Sequence, residues 1–554
     1  MQPGDDKAPP IIPPSLKDSW TRLSALRSEW THGLEGSRRL QARDAWLAGL
    51  LTLLGTAVAC TLWLRRGTSP LIHDEWAYLL QAQMFAQGRL SWPTPPLPEF
   101  FETAHVLMVP AYMSKYFPGQ AAWLAPFVRL GLPWLGPCVV LGLTTGLLFL
   151  LQRTLGISRL IAAGTACLLL ASGDFLSYSL SYFSDPTAAL LVVGWLISIS
   201  VAPPQRSSLG MGSATALAVT AGFVRPFTGV ALLATLGLML LARPRPTWRR
   251  LAVGGVIVLL GAGGAMAFCR ATTGSWTLPP WTLYARQYTP LDPPGFGAVE
   301  APPPERALPA HLRLDTLLGA SRRAHVLGKL PQIAAERFGQ MLGYLPSPAL
   351  LLFLLMGLLT ARGALRPALI FAAGLFTLML SFHWRDARYY QSHYPILLLL
   401  VGSGASFTAF CVRNVATARE RWLAFWSMAV LPALLVLYAL PVQLRQVSYW
   451  GTAWFDEQRA LAEALRPLRE GGGGLVFLSY PPGHSPHVDH THNGPDIASQ
   501  KVILAVDLGE RDAELMALFP GKPAYRLDVG TARLTRLPPS LQRPVETAHT
   551  GGEP

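Results

Sequence analysis

Apolar runs long enough to cross a lipid bilayer recur from Ala45 to Pro441, and this fixes what kind of fold the chain can adopt. They lie at about 45–64, 134–151, 158–178, 185–201, 209–223, 227–242, 251–269, 347–361, 366–382, 394–412 and 422–441. A hydrocarbon core roughly 30 Å thick takes about 20 helical residues, and lipid offers no partner for an unpaired backbone group. Only 14% of the residues are charged, against roughly 25% in soluble domains. The expected fold class is therefore mainly α, a polytopic membrane helix bundle of about eleven spans.

Charge placement orients the bundle. The first long run starts too far from the N-terminus for a cleavable signal peptide, and Arg38, Arg39 and Arg43 precede it. The linkers this count puts on the inner side carry Arg153, Arg206, Arg243, Arg245, Arg249, Arg250, Arg362, Arg366, Arg413, Arg419 and Arg421, with Glu420 as their one acid. Such a bias predicts a cytoplasmic N-terminus and, for an odd count, an outer C-terminus. Arg65 and Arg66 run the other way, but they flank a long loop whose charge counts less. The net charge of +14 thus reflects topology, and no nucleic-acid partner is expected. Cys60, Cys138, Cys167, Cys269 and Cys411 sit in or beside apolar segments and read as packed thiols.

The organisation expected is an N-terminal cytoplasmic segment 1–44, a transmembrane domain 45–441 with outer loops 65–133 and 270–346, and a C-terminal region 442–554. In that last region Gly471 to Gly474 end a helical stretch. Leu475–Leu478 and Val502–Val506 read as strands and Glu514–Phe519 as a short helix, which predicts a small α/β domain. Loop 270–346 is rich in Pro and aromatics, with a surface helix expected over 322–343; a lid, a substrate contact or a linker would all suit it.

The chemistry-bearing residues gather on the outer side. His73-Asp74-Glu75 open a helix of about 14 residues that stops at Gly88, with Trp76, Leu79, Leu80 and Met84 on one face. At about 21 Å it is too short to span and is expected to lie in the membrane interface. Acidic residues suit a helix N-terminus, the plain explanation for Asp74 and Glu75. Placed directly after the first span, they also suit a general base at the membrane face. Neighbours on a helix point about 100° apart, so one should act while the other holds structure. Further along the loop come His105 and Lys115-Tyr116-Phe117-Pro118-Gly119, where a lysine beside a Pro-Gly turn suits a phosphate or, more plainly, snorkels. Arg385, Arg388 and Tyr389 lie between two late spans, where charge is costly unless paired or used; for Arg385 the alternative is a pair with Asp386. Arg225-Pro226 occupies a tight outer turn, and Asp185-Pro186 reads as an N-cap followed by proline. The run His484, His487, Asp489, His490, His492 fits no closed zinc spacing, so no metal site is assigned to it.

The segments HDEWAYLLQAQMFAQGRL and HVLMVPAYMSKYFPGQ resemble the first periplasmic loop of bacterial GT-C glycosyltransferases, the polytopic enzymes related to protein O-mannosyltransferases and lipid A aminoarabinose transferases. In that family an Asp-Glu pair follows the first span and a Lys-Tyr-x-Pro-Gly-like element leads into the next. A late Arg-Tyr element, matched here by Arg388-Tyr389, is associated with the lipid phosphate. The resemblance implies a multi-pass protein of a bacterial inner membrane, with loops and C-terminal α/β domain in the periplasm. It implies an inverting glycosyltransferase in which Asp74 is the base, ahead of Glu75. Lys115 and Arg388 would hold the donor phosphate, with His73, His105, Tyr116, Arg225, Arg385 and Tyr389 about the substrate. The expected partners are a polyprenyl-phosphate sugar donor, since no inner linker carries a nucleotide-binding glycine loop, a lipid, glycan or protein acceptor, and membrane lipids. No cofactor is assigned. A divalent metal stays open, because adjacent carboxylates can hold one while an oxygen cage needs more ligands. The rival readings are a transporter or flippase of a lipid-linked or anionic solute, whose mark would be paired broken helices, and a non-catalytic scaffold.

Overall fold

The computed structural model describes residues 40–538, apart from 68, 243–244, 299, 301, 364, 416, 426–430 and 450–451, together with Thr21 and 24–30. Helices fall on the expected apolar runs. Among the described residues, five are long and apolar enough to cross a membrane, or six if one bent pair counts as a span. Ser208–Val224, Pro226–Leu241, Leu350–Leu359 and Leu365–Met379 are apolar but shorter, so a count of eleven depends on them.

Two runs differ from expectation. The run at 158–178 breaks into Arg159–Cys167, a 3-10 turn, and Gly173–Ser179, with a bend of 70°. Ser172 causes the restart by accepting a hydrogen bond from the Phe175 N–H, an N-cap in the middle of an apolar stretch. The run at 422–441 holds two helices, Ala418–Phe425 and Leu431–Tyr449, and its middle lies outside the described residues.

Close packing replaces the hydrophobic effect where helices meet in lipid. Ala42–Arg66 lies along Leu135–Thr154, and Gly142 and Gly146 make the approach feasible. A Cβ on Gly142 would stand 2.1 Å from Thr56 Oγ1, and one on Gly146 2.1 Å from Thr52 Oγ1.

The helix at the start of the first outer loop, His73–Ala86, is not the half-exposed interfacial helix its pattern suggested. Ten of its fourteen residues are buried. Tyr78, Leu79 and Ala82 join the core of the membrane helices, while Ala77, Leu80 and Met84 join a second core beneath the C-terminal sheet. It is apolar on two sides because it separates two apolar bodies.

That sheet has the order β4-β3-β5-β6, from β3 (Gly474–Ser479), β4 (Val502–Val506), β5 (Ala524–Asp528) and β6 (Arg533–Arg536). β3 pairs in parallel with β4 and β5, and β6 closes the edge antiparallel to β5. Alternation along β3 directs Leu475 and Phe477 toward the first loop. Val476 and Leu478 face the helix Thr452–Glu470, whose Leu461, Leu465 and Leu468 cover that side. β3, β4 and a helix at Asp512–Leu518 match the sequence reading, whereas β5 and β6, which are more polar, were not anticipated.

The expected surface helix over 322–343 is also divided, into Asp315–Ala324 and Leu330–Leu342. Its Arg337 is buried and donates to the backbone carbonyls of Met379 and Phe382.

Candidate functional site

A cavity of about 450 Å³ opens where the first loop, the second outer loop and the segment 382–389 converge. One polar wall is built from the first loop. A short hairpin pairs β1 (Val106–Leu107) with β2 (Met113–Ser114), so His105 and Lys115 stand opposite each other, and the Lys115 N–H donates to the His105 carbonyl at 3.0 Å. His105 holds a left-handed backbone (φ 65°), a conformation histidine adopts at some cost. Its N–H donates to Tyr284 Oη at 2.9 Å, which ties the hairpin to the second loop. Pro118 and Gly119 then start the helix Pro118–Arg129 rather than form a phosphate turn. A Cβ on Gly119 would lie 2.7 Å from the Phe223 and Val224 backbone, so glycine lets this helix abut the chain just before Arg225.

Asp74 is the hub, 7% exposed. Tyr116 donates its hydroxyl to Oδ1 at 2.6 Å, and the Arg388 Nη2 lies 3.4 Å from the same oxygen. His73 Nδ1 and His105 Nε2 stand 3.0 and 3.4 Å from Oδ2. Burial alone would raise the Asp74 carboxyl, but the charge of Arg388, then the contacts of His105 and His73, hold it well below the usual carboxylate range. Burial and the Lys115 charge push His105 well below an ordinary imidazole, so it stands neutral beside a carboxylate.

Three cations line the cavity, and they are not equally committed. Arg225 is matched to Asp185, Nη1 to Oδ1, at 2.6 Å. Arg388 is shared between Asp386 (3.0 Å) and Asp74, with Phe183 and Tyr389 under its guanidinium. Lys115 is 4% exposed and lies 3.9 Å from its nearest carboxylate, Asp292, too far for a hydrogen bond. It points across the Tyr284 ring, and burial pulls its pKa down. Lys115 is thus the cation with most to gain from an incoming anion.

His73, Asp74, His105, Lys115, Tyr116, Arg225, Arg388 and Tyr389 all line this cavity. Glu75 does not, and the reading of it as catalytic is corrected. Its carboxylate turns away to accept the N–H groups of Leu71 (3.1 Å) and Tyr182 (3.0 Å) and feels the charge of Arg66. Arg385, expected about the substrate, is corrected as well: it is 47% exposed and pairs with Glu336 at 3.0 Å, while its alternative partner Asp386 serves Arg388. Asp185 is not an N-cap. It is the second residue of Ser184–Val201, which is capped at Phe183, and there it neutralises Arg225.

Sequence reasoning missed Asp292, Trp384 and His487. Trp384 Nε1 donates to Asp292 Oδ1 at 2.8 Å, and the His487 carbonyl accepts from the His73 N–H at 3.4 Å. The first two come together from two loops without periodicity. His487 had a signal, since it belonged to the His-rich run.

A metal held between adjacent carboxylates does not fit, because Glu75 faces elsewhere and Asp74 is already neutralised by Arg388. His73, Asp74 and His105 do bring three ligand atoms together, yet with one oxygen donor they would suit a nitrogen-preferring ion rather than magnesium or calcium.

Neither a protein-family model nor a curated protein matches this sequence. Solved structures do. ArnT from Cupriavidus metallidurans in the apo state aligns at a TM-score of 0.50 with 17% identity, over 91% of this chain and 100% of that one. The same ArnT bound to undecaprenyl phosphate aligns at 0.46 and 17%, over 86% and 92%. The apo oligosaccharyltransferase of Archaeoglobus fulgidus aligns at 0.41 and 12%, over 79% and 58%. The likeness to apo ArnT, over 91% of this chain, shows that the two share a fold.

Proposed function

We propose that this GT-C-fold protein is an inverting glycosyltransferase that moves a sugar from a polyprenyl-phosphate donor to a cell-envelope acceptor at the periplasmic face of a bacterial inner membrane. One observation carries the reading: a buried carboxylate, Asp74, shares a single cavity with the weakly committed cation Lys115 and the guanidinium of Arg388. Phe117, Val224, Pro226, Phe227 and Phe382 give the same cavity an apolar side suited to the first isoprene units. That ArnT has been solved with undecaprenyl phosphate accords with such a donor.

In this mechanism Lys115 and Arg388 take the donor phosphate. Asp74 accepts the proton from the acceptor as its nucleophile attacks the anomeric carbon, the C–O bond to phosphate breaks, and polyprenyl phosphate leaves with the bonding electrons. The ion pair between Arg388 and Asp74 makes the two roles interdependent. In the free enzyme Arg388 stabilises the carboxylate and weakens it as a base. A phosphate that engages Arg388 withdraws part of that stabilisation, so donor binding raises the basicity of Asp74.

This coupling predicts a pH signature. A depressed carboxylate pKa means activity is lost only when pH falls through that low value, so the acid limb of kcat/KM should lie below the ordinary Asp value of about 3.9. The acid limb of kcat, which reports the donor complex, should lie at higher pH. Initial-rate profiles measured with saturating and limiting donor would test this, and coincident acid limbs would remove the coupling.

Eleven spans, with segment 1–44 inside and region 442–554 outside, put the C-terminal sheet on the cavity side of the membrane. A reporter fused at Gly472 should therefore be active only in the periplasm, and one at Arg245 only in the cytoplasm. A cytoplasmic signal at Gly472 would overturn the topology. The broken helix at 159–179 is a feature transporters use, but it has no bent counterpart in the second half among the described residues.

A further inference from the structure

One histidine cluster has no part in the cavity. Glu457, on the helix Thr452–Glu470, directs its Oε1 to within 3.2 Å of His484 Nε2 and 2.6 Å of His490 Nε2. Two imidazoles from one loop thus converge on one carboxylate oxygen from another element, and the three ligand atoms lie within 4.8 Å of one another. The histidine side chains are 6% and 11% exposed and that of Glu457 29%, so the rings are enclosed while the carboxylate side stays open to water. Stacking fixes the rings further: Tyr480 packs edge-on to His484 and parallel to His490, and His311 lies flat on Tyr480.

Two nitrogens and one oxygen are a donor set for first-row transition ions, whereas magnesium and calcium require oxygen. Tetrahedral zinc, with bonds of about 2.0–2.1 Å, sets its ligand atoms roughly 3.3 Å apart. The Glu457–His484 spacing already has that value. The Glu457–His490 spacing would open by less than about 1 Å, within reach of one carboxylate rotation. Three protein ligands with an open fourth position for water complete the coordination.

We propose that Glu457, His484 and His490 bind a divalent transition ion of the zinc type, and that this ion fastens the loop after β3 to the helix Thr452–Glu470. The fastened loop carries His487, which borders the cavity and receives the His73 N–H through its backbone carbonyl. The ion would therefore position one wall of the cavity without touching a reacting atom.

The test is metal content. Full-length protein, purified in detergent with a tag free of histidine, is stripped with chelator, equilibrated with zinc chloride, gel-filtered and assayed by elemental analysis. Wild type should retain one equivalent and, loaded with cobalt(II) instead, show the visible absorption of a four-coordinate site. Asp74→Asn and His105→Asn should retain the ion; Glu457→Gln and His490→Gln should bind it at least 100-fold more weakly while staying folded. Zinc should also raise the melting temperature of wild type but not of Glu457→Gln. Wild type that retains no ion, or an ion lost from Asp74→Asn and kept by Glu457→Gln, would overturn the proposal. The second result would move the site to His73, Asp74 and His105.

Discussion

Asp74→Asn should lower kcat for sugar transfer by about 100-fold or more, because asparagine keeps the shape and the Tyr116 contact but accepts no proton. KM for the donor should stay level or fall, since Arg388 loses the carboxylate that competes with phosphate for it. That split separates a base from a structural acid, whose loss would harm both parameters through folding. Glu75→Gln supplies the contrast. The amide replaces one of the two carboxylate oxygens that accept the Leu71 and Tyr182 N–H groups by an NH2 donor, a change that costs about 1–3 kcal/mol, so the expected result is a lower melting temperature with near-normal turnover in the folded fraction. Radiolabelled donor, product counting and a thermal shift in detergent measure all of this. A stable Asp74→Asn enzyme with full turnover would refute the assignment. A protein that moves a lipid-linked solute and makes no glycan would be the transporter.

Replacing the phosphate cations should give the opposite split. Lys115→Met and Arg388→Gln should each raise donor KM about ten- to a hundred-fold, the worth of one charge-assisted contact of roughly 1.5–3 kcal/mol. Lys115 should matter more to binding, because no short ion pair has to break before it engages the donor. Arg388→Gln should also move the acid limb of kcat/KM upward, since Asp74 would lose its main stabilising charge. Lys115→Arg is not conservative here, as a planar fork does not fill the slot of an ammonium over the Tyr284 ring. Unchanged donor kinetics in both variants would place the phosphate elsewhere, with Arg225 the remaining cation despite its close pairing with Asp185.

What was legible in the sequence follows from what periodicity and position encode. Apolar runs gave the helices, and the place of Asp74, Lys115 and Arg388 just outside such runs gave the polar wall of the cavity. The 100° offset between adjacent helical residues correctly implied that Asp74 and Glu75 would part ways. The counter-charges were not legible. Asp292 comes from a Pro-rich loop, Asp386 sits among several charges, and Asp185 looked like a cap; Asp292 and Asp185 are defined by partners on other elements, and Asp386 by a local turn that leaves no pattern. Arg385 and Arg388 are three residues apart, and only the 3-10 turn at Ala387–His393 decides which faces inward. Glu457 stayed hidden because a metal spacing is sought within one segment, whereas the proposed ligands come from a helix and from the loop after the next strand.

The doubly buried helix His73–Ala86 has a consequence for how such a protein can change over time. Ala77 and Ala82 have no exposed surface, one against the sheet side and the other against the membrane bundle. Neither body can be swapped for a homologous part without re-tailoring the other, since both are moulded on the same fourteen residues. The soluble module is therefore not a portable appendage, and its sequence should drift in step with that of the membrane helices rather than independently of them.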